Sequence, residues 1–296
     1  MSRTNHQDIR IGTMAELKHG ANYLRQILPY GFESFQLTNW QNLPKDMNIA
    51  ETAKEVREVL GEEAKISCLG MYGNPLTNES TAADFATAIR SAKLFGADMV
   101  CGFAGALEDR PVDESIPRFK KVFGELAKIA EGEGVKIGFE NCDMGGSWQR
   151  PAWNIAHSPR AWELMFDAVP SEALGLEWEP CHQMGSLIDP LPQLRKWVGK
   201  VVHLHGKDAT VAHDILETQG TRGGVQWIWH RTPGFGDTSW SDIITILRQH
   251  GYKGSIDIEG WHDPIYRDEL EMTGQVYGLE YLKSCRGGEY VPNPTT

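Results

Sequence analysis

The feature that most constrains this chain is an alternation of segment types, in which short runs rich in Val, Ile and Phe give way to longer amphipathic stretches from one end to the other. Eight apolar runs stand out: IRIG from Ile9, ESFQL from Glu33, KISCLGM from Lys65, ADMVCGF from Ala97, KIGFEN from Lys136, LGLEWE from Leu174, VVHLHGKD from Val201 and GSIDIEG from Gly254. Helical patterns follow them, clearest in AELKHGANYLRQIL from Ala15, AETAKEVREVL from Ala50, FATAIRSAKLF from Phe85, RFKKVFGELAKIAE from Arg118 and WSDIITILRQH from Trp240. Strands that alternate with amphipathic helices build a parallel sheet covered by those helices. Gly31, Gly96, Gly134 and Gly251 fit the left-handed position that ends a helix, and Ser239 and Asp84 fit early-turn caps. Eight such units, with no phosphate-cradling glycine fingerprint after the first strand, favour closure over an open doubly wound sheet. The expected fold is α/β, a single (β/α)8 TIM barrel over residues 1–296, with 287–296 as a C-terminal tail.

Composition removes several function classes. The 29 basic and 40 acidic residues give a net charge of -11, which disfavours a nucleic-acid partner. No run approaches the roughly 20 apolar residues needed to span a bilayer, and MSRTNHQDIRIG lacks the apolar core of a signal peptide, so the expectation is a cytoplasmic protein with no membrane partner. Cys68, Cys101, Cys142, Cys181 and Cys285 are scattered singly and read as reduced thiols, more often small buried hydrophobes than nucleophiles.

In a closed barrel the active site lies where the strands end, so polar residues closing apolar strands are the candidates. The fifth run ends in Glu140 and Asn141, the sixth in Glu177, Trp178 and Glu179, the seventh carries His203 and His205, and the eighth ends in Glu259. Positions two apart share a face of a strand, and the later member of each pair lies nearer the mouth. Glu140, Glu179, His205 and Glu259 are therefore the metal-ligand candidates, with Glu177 and His203 deeper, orienting them. Three carboxylates and an imidazole suit one divalent ion, Mn2+ first, with Mg2+, Co2+, Zn2+ or Fe2+ as alternatives. His182 follows in a loop, as a substrate contact, a proton carrier or a helix cap. Lys207 shares the side of His205, where it could hold a substrate oxygen, neutralise a ligand carboxylate or form an internal salt bridge. Arg231 offers a fork for sugar hydroxyls from a Gly- and Pro-shaped loop. Trp148, Trp153, Trp178, Trp227, Trp229 and Trp261 are expected at the mouth, where Trp261 is a substrate-stacking candidate.

The segments IGFEN, GLEWEPCH, HLHGKD, HRTPGFGDTSW and SIDIEGWHDP resemble those of the xylose-isomerase-like barrel superfamily, and the resemblance covers almost the whole chain. It implies Glu140, Glu179, His205 and Glu259 as metal ligands and His182 and Arg231 as substrate contacts. One departure stands out: the strand-six ligand of this pattern is usually Asp, where this chain has Glu179. The chemistry implied is that of a sugar isomerase or epimerase, in which the metal polarises a keto-sugar carbonyl while Glu140 and Glu259 exchange a proton beside it. An alternative is a lyase or hydratase that eliminates a β-substituent from a 3-keto sugar or glycoside, C-glycoside cleavage included. An endonuclease-IV-type nuclease and a non-catalytic sugar-binding barrel complete the alternatives. Barrels of this group often pair, so a homo-oligomer or a partner subunit is a further expectation.

Overall fold

The computed structural model describes residues 8–294; most of the polar N-terminal stretch MSRTNHQDIRIG and the last two residues of the tail lie outside them. Eight parallel strands close into a barrel: β1 (Arg10–Glu16), β2 (Ser34–Trp40), β3 (Lys65–Tyr72), β4 (Met99–Gly102), β5 (Lys136–Glu140), β6 (Leu174–Trp178), β7 (Val201–Gly206) and, after an excursion, β10 (Ser255–Ile258), which pairs with both β7 and β1. The excursion is an antiparallel hairpin of β8 (Asp208–Val211) and β9 (Ile228–Arg231). The helices are α1 (Gly20–Ile27), α2 (Ile49–Leu60), α3 (Glu79–Ser91), α4 (Val112–Glu133), α5 (Pro159–Ala168), α6 (Pro180–Gly185), α7 (Pro190–Trp197), α8 (His213–Gln219), α9 (Trp240–Gln249) and α10 (Glu271–Cys285).

The alternation of each strand sorts its side chains between two environments. On β5, Phe139 packs outward against Phe123 and Phe119 of α4, at ring-centroid distances of 4.8 and 5.5 Å. Ile11, Phe35, Leu69, Val100, Ile137, Leu176, Leu204 and Ile256 join the same buried apolar shell between strands and helices. Each such side chain contributes about 1.5–3 kcal/mol of burial. The inward faces are polar or small instead: Ser34, Gln36, Cys68, Cys101, Gly138, Glu177, His203, His205 and Asp257. A register shift between Leu176 and Glu177 sets Glu177 opposite His203, a bulge-like irregularity that re-aims an inward carboxylate.

The expected left-handed helix ends are present, with φ of 88° at Gly31, 79° at Gly96, 62° at Gly134 and 73° at Gly251. Three local expectations need correction. The helix read from Ala15 starts at Gly20, because Ala15 and Glu16 continue the ladder with Leu37 and Thr38 of β2. Asp84 lies inside α3, where it accepts from Asn42 Nδ2 and Leu43 N, and the cap is Asn78. Ser239 does precede α9, but its hydroxyl donates to Asp242 rather than capping a backbone N–H.

Gly12 marks how tightly the barrel floor is filled, since a Cβ there would overlap the Ser34 carbonyl oxygen and the Asp257 carboxylate. Gly12→Ala is expected to destabilise the protein by about 1–3 kcal/mol through overpacking. A urea midpoint equal to that of the parent would contradict this account of the floor.

Candidate metal centre

Glu140 ends β5, Glu179 directly follows β6, His205 lies in β7 and Glu259 directly follows β10. The barrel brings one donor atom of each within 4.8 Å of the others, and all four residues are buried. Neighbouring side chains hold the backbone in place. Asn141 clamps both backbone groups of Glu179, donating to its carbonyl at 2.9 Å and accepting from its N–H at 2.8 Å. Asn154 donates to the carbonyls of Glu140 and Cys142 at 2.8 Å each, and accepts from Ala104 N and Ala156 N. Sequence reading quoted Asn141 only as a strand end and passed over Asn154, because neither belongs to a ligand pattern.

The His205 ring is oriented from behind. Its Nε2 faces Gln36 Oε1 at 2.8 Å and Glu177 Oε1 at 3.0 Å, so that nitrogen carries the hydrogen and Nδ1 is turned to the cluster. Gln36 and Tyr72, which no sequence pattern marks, both donate to Glu177, at 2.7 and 2.9 Å. Below them, His203 places Nδ1 on Glu177 and Nε2 on Asp257, each at 2.9 Å. Both ring nitrogens therefore meet carboxylates. Burial opposes the charge on His203, but the Cys68 sulfur and its bonds to Asp257 and Glu177 outweigh it and raise its pKa well above the ordinary value.

Three buried atoms of the cluster have no hydrogen-bond partner among the described residues: His205 Nδ1, Glu259 Oε2 and Glu179 Oε1. The last lies 3.0 Å from His182 Nε2, but without hydrogen-bond alignment. His205 Nδ1 stands 3.4 Å from Glu259 and 3.7 Å from Glu140, a loose ring around a common point. Orphaned buried polar atoms cost about 1–3 kcal/mol each and call for an explanation. Left to themselves, Glu140 and His205 hold protons. Burial, with the neighbouring Glu179 and Glu259 carboxylates, pushes Glu140 up to about 8 against the pull of His205. Burial also opposes protonation of His205, yet Glu177 and the other carboxylates raise it well above its usual range. A divalent cation would take the place of those protons, and three carboxylate oxygens with one imidazole nitrogen suit a hard or borderline ion.

Lys207 supplies the remaining positive charge. Its Nζ donates to Glu259 Oε1 at 3.0 Å and stands 3.9 Å from Glu179. Burial would raise both carboxyls, but Lys207, with His182 beside Glu179 and with His205 and His262 beside Glu259, holds them below the usual carboxylate range. Lys207 thus forms a buried ion pair with a carboxylate of the cluster. His182, Lys207 and Trp261 line the cavity above the cluster, which measures about 710 Å³.

Arg231 is turned elsewhere. Its Nε donates to Asp263 at 2.9 Å, its guanidinium covers Phe235, and the neighbouring His230, on the other side of β9, lines the cavity in its stead. His230 meets the His182 ring at 4.9 Å, and burial, with Lys207 and His182 nearby, lowers it to about 3. His262 contacts Glu259 at 2.9 Å from three residues on, a spacing that SIDIEGWHDP did display. Among the tryptophans, Trp178 is buried in the main core rather than at the mouth, because it alternates with the inward Glu177 and Glu179. Trp40, which sequence reading passed over, lines the cavity. Cys181 donates to Glu179 at 3.3 Å and burial pushes it up to about 12, which keeps it a neutral thiol.

Comparison with known proteins agrees with this architecture. Inosose dehydratase of Glaesserella parasuis is 25% identical over 193 residues, which cover 61% of this chain and 59% of that protein. Inosose dehydratase of Clostridium perfringens is 23% identical over 271 residues, 86% of this chain and 85% of that protein. The solved structure of 3-keto-D-glucoside 4-epimerase from E. coli superposes with a TM-score of 0.70 at 14% identity, covering 94% of this chain and all of the other, which is a likeness of fold. The family model described as xylose isomerase-like TIM barrel matches residues 24–285, and the chain belongs to that family.

Proposed function

We propose that this protein is a metal-dependent sugar isomerase or epimerase that moves a proton at the carbon beside the carbonyl of a keto sugar. The observation that carries this reading is the convergence of Glu140, Glu179, His205 and Glu259, with three orphaned donor atoms, at the base of an open cavity. A bound divalent ion would polarise the sugar carbonyl and stabilise negative charge on the adjacent oxygen. The protein's own groups supply the rest. Glu140 and Glu259 approach from β5 and β10, on either side of His205, so one can take a proton from one face of the substrate while the other returns a proton to the opposite face. Lys207 fixes Glu259 through its 3.0 Å contact, and His182 stands above Glu179, where its imidazole can donate to a substrate oxygen. Arg231 acts at one remove: through Asp263, which also accepts from Thr232 N, it pins the hairpin that carries His230.

A second reading is elimination, in which the same proton abstraction expels a substituent one carbon further on. It is favoured by the names of the curated relatives, both dehydratases, and by the ammonium of Lys207 beside Glu259, a ready proton donor to a leaving oxygen.

Incubating the Mn2+-loaded protein with a panel of free and 3-keto sugars in deuterated water tests the reaction. Deuterium at the carbon beside the carbonyl is expected, with loss of water or release of an aglycone marking elimination; neither exchange nor elimination product from any keto sugar would refute both readings. The site assignment predicts about one divalent ion per chain, lost together with activity in Glu140→Ala, His205→Ala and Glu259→Ala. Glu179→Asp should keep the ion and Glu179→Ala should not, whereas His182→Ala should keep it while turnover falls on the order of 10²-fold. Elemental analysis beside initial rates checks this, and full metal occupancy in the first three variants would contradict it.

A further inference from the structure

The cavity is divided by chemistry. One wall is the ionic set of Lys207, His182, Glu140, His205 and Glu259; the other is apolar and separate from the main core. That second wall is a buried cluster of Met14, Tyr72, Phe103 and Cys142, with Met144 and Trp153 packed against it. It forms a continuous aromatic path outward from the cluster. Tyr72 touches His205 at 3.2 Å, Phe103 stacks edge-on against Tyr72 at 5.3 Å, and Trp40 stands edge-on to Phe103 at 6.3 Å and against Trp153 at 5.5 Å. Trp40 ends the path with 59% of its surface exposed.

The backbone is strained where this wall is built. Met144, which packs on this wall and lines the cavity, has φ of 52°, and Gln41, next to Trp40, has φ of 63°. Side chains rarely adopt that region, and such strain persists where surrounding structure holds it for a purpose. Here it presents large apolar side chains to the cavity rather than to the core. The size agrees. A volume of about 710 Å³ belongs to the upper part of the range of about 300–1,000 Å³ that holds drug-sized ligands, and a single hexose over the four donors leaves the Phe103–Trp40 end unfilled.

We propose that the sugar enters this site carrying a large planar apolar group, as an aryl glycoside does, with the ring over the four donors and the aryl group along Phe103 and Trp40. This rests on the sugar-processing reading above. Met14 and Met144 give the wall adaptable surfaces, so the aryl group is recognised by its flatness and apolarity rather than by hydrogen bonds.

The test is calorimetric binding of 2-naphthyl β-D-glucopyranoside and methyl β-D-glucopyranoside to the Mn2+-loaded protein. Burying the aryl group should make the naphthyl compound bind about 10- to 100-fold more tightly. The ratio should fall toward one in Trp40→Ala, whose side chain is exposed, and in Met144→Gly, which suits the local backbone. Equal affinity for the two compounds, undetectable binding of both, or a ratio unchanged in both variants overturns the proposal. A retained naphthyl preference in a protein that exchanges no deuterium into keto sugars would refute the reaction and leave the aryl subsite standing.

Discussion

The interaction on which the structure depends is the hydrogen-bonded column inside the barrel: His205 on Glu177, Glu177 on His203, His203 on Asp257, and Asp257 on Ser34 and Ser67. Barrel interiors are usually filled by layers of branched apolar side chains. Here ionisable groups occupy that space, and their desolvation would cost several kcal/mol each if they were unpaired. Pairing along the whole column resolves the cost. It also transmits order upward, since Gln36, Tyr72 and Glu177 together leave His205 one orientation with Nδ1 toward the mouth. Where the column ends, satisfaction ends too, and the orphaned atoms of His205, Glu179 and Glu259 face one point.

The outer apolar shell makes that interior affordable in shape as well as energy. Large residues such as Phe139 and Trp178 point to the helices, which leaves the inward positions of β4, β5 and β6 to Cys101, Gly138 and Gly175. The two glycines make room for the Val202 side chain, and Gly138 also for that of Glu177. The same division recurs at the mouth, where Lys207 and the histidines gather on one side of the cavity and Tyr72, Phe103 and Trp40 on the other.

Much of this was legible in the sequence for physical reasons. The parallel barrel follows from strands alternating with helices and the inward face from period-two alternation, so Glu140, Glu179, His205 and Glu259 could be placed at one end of the barrel before their contacts were known. Boundaries were less legible where tertiary pairing overrides a local pattern, as at Ala15 and Glu16, which look helical but pair with β2. The residues that hold the cluster from behind were largely silent. Gln36, Tyr72 and Asn154 lie 141, 105 and 14 residues in sequence from the groups they hold, and no local spacing announces such contacts. Arg231 shows the converse, because its residue type suggested a sugar-binding fork while the register of the hairpin turned it to Asp263.

The claim at the centre of this account is that the four donors hold one cation. Anomalous diffraction from crystals soaked in Mn2+ measures it directly. The account predicts a single strong peak about 2.0–2.3 Å from carboxylate oxygens of Glu140, Glu179 and Glu259 and from His205 Nδ1. A peak instead at the deeper group of Cys68, Cys101, Glu177 and His203, or none above the four donors, would contradict it.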